Sequence, residues 1–184
     1  MLILCMYQIY FEFYNILNKI LSKRNKNQMF LYLFLFLIFL LSTLIYIWST
    51  IVLNNDNKIL LLLIITVSIL SDIGGYIFGK LFKGKKLSKI SPKKTYSGMI
   101  GSFFLSISVS LYLFSDFFNQ TKLFILIIII STISQIGDLI ISYLKRKAKI
   151  KDTGIILPGH GGLLDRVDGL IFSIPFGSLI SLLL

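Results

Sequence analysis

The sequence predicts an all-α fold, a polytopic transmembrane helical bundle. Three observations carry that prediction. Hydrophobic residues make up 55% of the chain and mean hydropathy is +0.84, above the apolar share of about 45–50% usual for soluble domains. Several apolar runs reach or approach the ~20 residues that cross a ~30 Å hydrocarbon core. The runs are continuous, whereas barrel strands alternate. The 184 residues suit one domain. They divide into an N-terminal segment with a basic loop (1–28) and a single transmembrane domain (29–184).

Residues 1–18 are apolar but short, and Glu12 interrupts them. They predict an interfacial helix, with a weak span as the alternative. Lacking a positive n-region and a small-residue cleavage site, they do not read as a secretory signal. Residues 19–28 hold Lys19, Lys23, Arg24 and Lys26 and form a basic loop. Residues 29–53 carry no charge and form the first span. A polar turn at 54–58 leads into a second span at 59–82, which contains Asp72, Gly74, Gly75 and Gly79. The loop 83–95 is dense in lysine and ends in Ser91-Pro92-Lys93-Lys94-Thr95. The third span, 96–115, is marked by Gly98, Gly101, Ser102 and Ser106. After a turn at 116–122, the fourth span, 123–144, contains Gln135 and Asp138. A polar stretch precedes the last span, 169–184.

A net charge of +11 would suggest nucleic acid in a soluble protein, but the placement of the charges argues against that partner. Seventeen of the nineteen cations lie in 19–26, 80–94 and 145–166. These stretches alternate with turns that hold one cation each. By the positive-inside rule the three basic loops are cytoplasmic, as in a bacterial-type inner membrane. Topology and attraction to anionic lipid account for part of the charge. The single cysteine, Cys5, excludes an internal disulfide and a cysteine-bound zinc cluster.

The chemistry gathers between Ser142 and Asp168. A carboxylate inside a span costs about 2.5–3.5 kcal/mol at the bilayer centre, so Asp72 and Asp138 read as functional, with helix packing or snorkelling as the plainer alternative. Gln135, Asp138, Ser142 and Lys145 recur at helical spacing and form one polar stripe descending to the cytoplasmic mouth. Asp138 with Asp165 and Asp168 offers hard oxygen ligands suited to Mg²⁺. The alternatives are ion pairing with Arg166 and nearby lysines, and for Asp168 a helix N-cap. Lys145, Arg146, Lys151 and Arg166, with Lys93 and Lys94 across the mouth, suit phosphate. Pro158-Gly-His-Gly-Gly, including Gly161 and Gly162, supplies backbone for an anion nest. His160 reads as a base or as an orienting group.

The string Ser142-x-Leu144-Lys145-Arg146-x4-Lys151-Asp152-x-Gly154-x2-Leu157-Pro158-x-His160-Gly161-Gly162-Leu163-x-Asp165-Arg166-Val167-Asp168 resembles the hallmark of phosphatidate cytidylyltransferases (CDP-diacylglycerol synthases). A second stretch, Asp72-x3-Tyr76-x2-Gly79-Lys80 leading to Ser91-Pro92-Lys93-Lys94-Thr95, resembles the same family. The likeness covers about residues 70–175. One departure is Ser97, where the family usually has an acid; the chain is also short for the family.

The resemblance implies that CTP and phosphatidate give CDP-diacylglycerol and pyrophosphate. It implies Mg²⁺ at Asp138 and Asp165, with K⁺ beside it, and a homodimer. In the mechanism expected here Lys145, Arg146, Lys151 and Arg166 offset the charge of the polyphosphate and the lipid headgroup, and Ser142 donates to a phosphate or supports the metal shell. Asp72, Lys93, Lys94, Asp152, His160, Gly161, Gly162 and Asp168 would line the substrate site. Two rival readings are a cytidylyl- or kinase-type transferase on another lipid phosphate or polyprenyl lipid, and a transporter. A transporter site would lie near the midplane, whereas this polar cluster sits at the mouth.

Overall fold

A long uncharged run of Leu, Ile and Phe has no water to satisfy its backbone in a bilayer, so it closes its hydrogen bonds within itself as a helix. The computed structural model follows that rule. It describes residues 1–21, 25–53, 55–87, 91, 94–154, 156 and 161–183; the side chains of 51–53, 55 and 56 are not described. The helices are α1 (Leu2–Ile20), α2 (Lys26–Leu53), α3 (Asn55–Phe82), α4 (Tyr96–Phe114), α5 (Gln120–Lys147), α6 (Leu164–Val167) and α7 (Leu170–Leu183). An isolated antiparallel bridge joins Lys86 and Thr95.

Among the described residues five helical segments are long and apolar enough to cross a membrane: Lys26–Thr50, Asn57–Phe82, Tyr96–Phe114, Gln120–Lys147 and Leu164–Leu183. They match the five spans expected from sequence. The last begins earlier than its apolar pattern suggests, because the short helix α6 leads directly into α7. Helix α1 is not among the five. It buries Ile9, Glu12, Phe13, Ile16 and Leu17 on one face and exposes Ile3, Leu4, Tyr7 and Phe11 on the other.

Two apolar cores fix the helices. In the first, Ile9, Phe13 and Ile16 of α1 pack with Leu33, Phe36 and Leu40 of α2, Ile141 of α5 and Ile171 of α7. The Phe13 and Phe36 rings stack with centroids 3.8 Å apart. In the second, Leu63, Ile64 and Val67 of α3 pack against Leu123, Leu126, Ile127 and Ile130 of α5.

Helices α3 and α4 meet through small residues, which let backbones approach closely in a membrane. A Cβ on Gly74 would lie 2.5 Å from the Gly101 carbonyl oxygen, and one on Gly98 would lie 2.7 Å from that of Gly75. Ser102 Oγ donates to the Ser71 carbonyl at 2.6 Å, and Ser131 Oγ donates to Ser71 Oγ at 3.1 Å. Gln135 Nε2 donates in turn to Ser131 Oγ at 3.3 Å. This polar ladder holds α3, α4 and α5 together beside Asp72 and Asp138.

Candidate active site

The packing of α3, α4 and α5 leaves a cavity of ≈ 280 Å³. Asp72 and Tyr76 of α3, Lys94 and Thr95 ahead of α4, and Gln135 and Asp138 of α5 line it. Thr95 caps α4 by accepting from Gly98 N at 3.1 Å, and so fixes the turn that carries Lys94. Lys94 Nζ forms an ion pair with Asp138 Oδ2. One turn further along α5, Ser142 Oγ donates to Asp138 Oδ1 at 3.2 Å. Asp72 and Asp138 face the same cavity, and two carboxylates therefore share one polar cavity.

Beside the cavity lies a second cluster. Lys145 Nζ donates to Asp165 Oδ1 at 2.7 Å, and the two side chains are only 12% and 8% exposed. Asp165 Oδ2 accepts from Thr153 N at 2.7 Å and from Gly162 N at 3.0 Å, with Thr153 Oγ1 3.0 Å away. Gly161 adopts φ +85°, where a Cβ is strained, and a Cβ there would also lie 2.8 Å from Asp165 Oδ2. The glycines read as a phosphate nest thus wrap the Asp165 carboxylate, and the Gly162 N–H is given to it.

The α5 stripe of Gln135, Asp138, Ser142 and Lys145 links the two clusters. Arg146 leaves that stripe; its guanidinium donates to the Ile150 carbonyl at 3.4 Å and closes the end of α5. Lys151, Asp152 and Arg166 lie on the exposed surface of the same loop region. Asp168 Oδ1 accepts from Gly169 N at 2.9 Å. Its backbone is right-handed helical, φ −55° and ψ −40°, not the extended conformation of an N-cap, so the N-cap reading is corrected. Lys93, Pro158 and His160 lie outside the described residues.

Two features change the reading of the sequence. Ser97 Oγ accepts from Gly84 N at 3.2 Å and shares a hydrogen bond with Thr95 Oγ1 at 3.0 Å. It lines an outer groove with Phe78 and Phe82, not the Asp72–Asp138 cavity. Glu12, read as an interruption of an apolar segment, is buried and bound to this site. Its Oε2 accepts from Thr153 Oγ1 at 2.6 Å and from Leu164 N at 2.9 Å. The signal was present in the spacing: Ile9, Glu12, Phe13 and Ile16 fall on one helical face.

Among the described residues no three His, Cys, Asp or Glu side chains are grouped to hold a metal. Mg²⁺ uses one or two carboxylates and completes its shell with water and substrate phosphates. Asp138 opens on the cavity, and Asp165 Oδ1 has Lys145 as its partner while Oδ2 accepts from two backbone N–H groups. Asp138 and Asp165 are hard oxygen donors of the type that ion takes, and each is paired with a lysine, Lys94 and Lys145.

Comparison with known proteins gives a consistent result. Over 144 residues the chain is 42% identical to the phosphatidate cytidylyltransferase of Rickettsia felis, which covers 71% of this chain and 62% of that protein. Over 136 residues it is 43% identical to the phosphatidate cytidylyltransferase of Rickettsia prowazekii, covering 67% and 58%. Over 110 residues it is 46% identical to that of Staphylococcus haemolyticus, covering 58% and 42%. The chain spans about three fifths of the length of the rickettsial relatives it matches. The model of the Cytidylyltransferase family matches residues 2–184, nearly the full chain that builds the cavity and the Asp165 loop, and the chain belongs to that family.

Proposed function

We propose that the chain is a CTP:phosphatidate cytidylyltransferase that makes CDP-diacylglycerol and pyrophosphate. The observation that carries the proposal is the meeting of Asp72, Asp138 and Lys94 on one cavity beside the buried Lys145–Asp165 pair. Membership of the family and the names of the bacterial relatives support it.

In the proposed reaction a phosphate oxygen of phosphatidate forms a bond to the α-phosphorus of CTP. The bond from that phosphorus to the β-phosphate oxygen breaks, and pyrophosphate leaves. The attacking phosphate monoester has a second pKa of about 6, so it is ionised near neutral pH and needs little help from a base. The work of the protein is then to position two anions and offset their charge. Lys94 stands at the cavity wall for this, and Arg146, Lys151 and Arg166 line the exposed side. Ser142 holds the Asp138 carboxylate in its rotamer. Lys145 does the same for Asp165.

Asp138 and Asp165 would hold Mg²⁺, with K⁺ beside it. When bound, Mg²⁺ supplies a Lewis acid that neutralises charge on the substrate phosphates. The proposal places the cavity mouth on the cytoplasmic side, where the basic loops belong by the positive-inside rule, and takes the working form to be a homodimer. The test is an assay of purified protein in lipid nanodiscs with labelled CTP, phosphatidate and Mg²⁺. Lipid-linked CMP is expected. Its absence with a verified fold would sink the proposal.

A further inference from the structure

The first helix carries a buried acid that nothing in the proposed reaction uses. Glu12 is 1% exposed in a segment that is otherwise apolar. Its carboxylate accepts four hydrogen bonds, the full capacity of that group. Oε1 accepts from Leu163 N at 2.9 Å and from Gln8 Nε2 at 3.1 Å. Oε2 accepts from Leu164 N at 2.9 Å and from Thr153 Oγ1 at 2.6 Å. Three of these donors lie on the loop and turn that carry Asp165.

The surroundings are shaped for the carboxylate. A Cβ on Gly162 would lie 2.3 Å from Oε2, and one on Gly154 would lie 3.0 Å from Oε1. Leu163 offers no side-chain cap to α6, so Glu12 satisfies amides that a helix start leaves without a partner. The Thr153 hydroxyl touches both Glu12 Oε2 and Asp165 Oδ2. It has one proton for two carboxylates and so couples them.

We propose that Glu12 is a positioning residue for the Asp165 loop, so that α1 is a working part of the active site and not only an anchor. This rests on the cytidylyltransferase reading for its effect on turnover, though the clamp itself does not. Glu12 touches neither substrate nor reacting atoms. It fixes Thr153, Leu163 and Leu164, and through them the place of Asp165. A Gln side chain has the same shape, but its amide nitrogen must face the donors of one side, Leu164 N and Thr153 Oγ1 or Leu163 N.

The test compares Glu12→Gln with Phe13→Leu, which loosens α1 on α2 at the Phe13–Phe36 stack without touching the carboxylate. Each detergent-purified full chain is assayed for turnover of CTP, and the 161–166 region is followed by amide hydrogen exchange without substrate or added metal. We expect Glu12→Gln to lower kcat about tenfold or more and to speed exchange at Leu163 and Leu164. Phe13→Leu should lower thermal stability with kcat within about twofold of the parent. Thr153→Val should add little to the kcat loss of Glu12→Gln, because the two act through one bridge. Parent-like exchange at Leu163 and Leu164 in Glu12→Gln overturns the clamp. Equal kcat losses in Glu12→Gln and Phe13→Leu overturn the positioning role in favour of simple packing. An intact parent chain that makes no lipid-linked CMP overturns the cytidylyltransferase reading, and the exchange measurement then still decides whether Glu12 holds the loop.

Discussion

Replacing Lys145 by Met should loosen the Asp165 loop by an amount the geometry bounds. At 2.7 Å two unit charges attract by about 6 kcal/mol at an effective dielectric of 20, and desolvation offsets much of this. Removing one partner of a buried pair costs about 3–5 kcal/mol, because the other charge is left uncompensated. Asp165 Oδ2 would keep the N–H donors of Thr153 and Gly162, which places Lys145→Met at the low end, about 3 kcal/mol. Asp165→Asn should cost more, about 5 kcal/mol. In one orientation its amide nitrogen meets the N–H groups of Thr153 and Gly162, and in the other it meets the Lys145 ammonium. In the double variant Lys145→Met, Asp165→Asn both buried charges are gone, so its cost should fall below the sum of the singles by about 2 kcal/mol or more. Equilibrium unfolding in mixed micelles, followed by circular dichroism, measures all four proteins. Additivity of the single variants within about 0.5 kcal/mol would show that the two groups are not a coupled pair.

The cavity pair should behave differently. The Lys94 and Asp138 side chains are 26% and 23% exposed, so Lys94→Met should change stability by under about 1 kcal/mol and lower CTP turnover at least tenfold in the same assay. Asp138→Asn should lower turnover at least a hundredfold, and chelation should abolish parent activity until Mg²⁺ is restored; activity that survives chelation would remove the ion from the reaction. Ser97→Asp, which places an acid where relatives of the resembled family usually have one, should leave turnover within about twofold, because Ser97 faces Gly84 and the outer groove. Gly74→Ala should destabilise the chain by about 1–3 kcal/mol through overpacking, since its Cβ would meet the Gly101 backbone at 2.5 Å; thermal midpoints in detergent read this directly.

What the sequence reveals and what it hides divides by the range of the interaction. The five spans were legible because each depends on its own run of about 20 apolar residues. The α5 stripe was legible because Gln135, Asp138, Ser142 and Lys145 obey one helical period, and the structure places Ser142 on Asp138 one turn away. The role of Gly162 was only half legible. Its smallness was visible, but its neighbours are Thr153 and Glu12, and no local rule names a residue 150 positions upstream. Ser97 shows the same limit in reverse: the motif marks a missing acid, while only packing shows which way position 97 faces.

Glu12 draws the consequence. A single carboxylate in an apolar helix is costly unless it is fully hydrogen-bonded, and here its partners are Thr153, Leu163 and Leu164 from the far end of the chain, with Gln8 nearby. The polar stretch that carries most of the motif does not close on itself. Asp165 is held by Lys145 at the end of α5, by its own loop, and through Thr153 by α1. The Asp165 loop therefore rests on more than the motif and the helices flanking it: α1, within its 19 residues, returns one acid to the base of that loop.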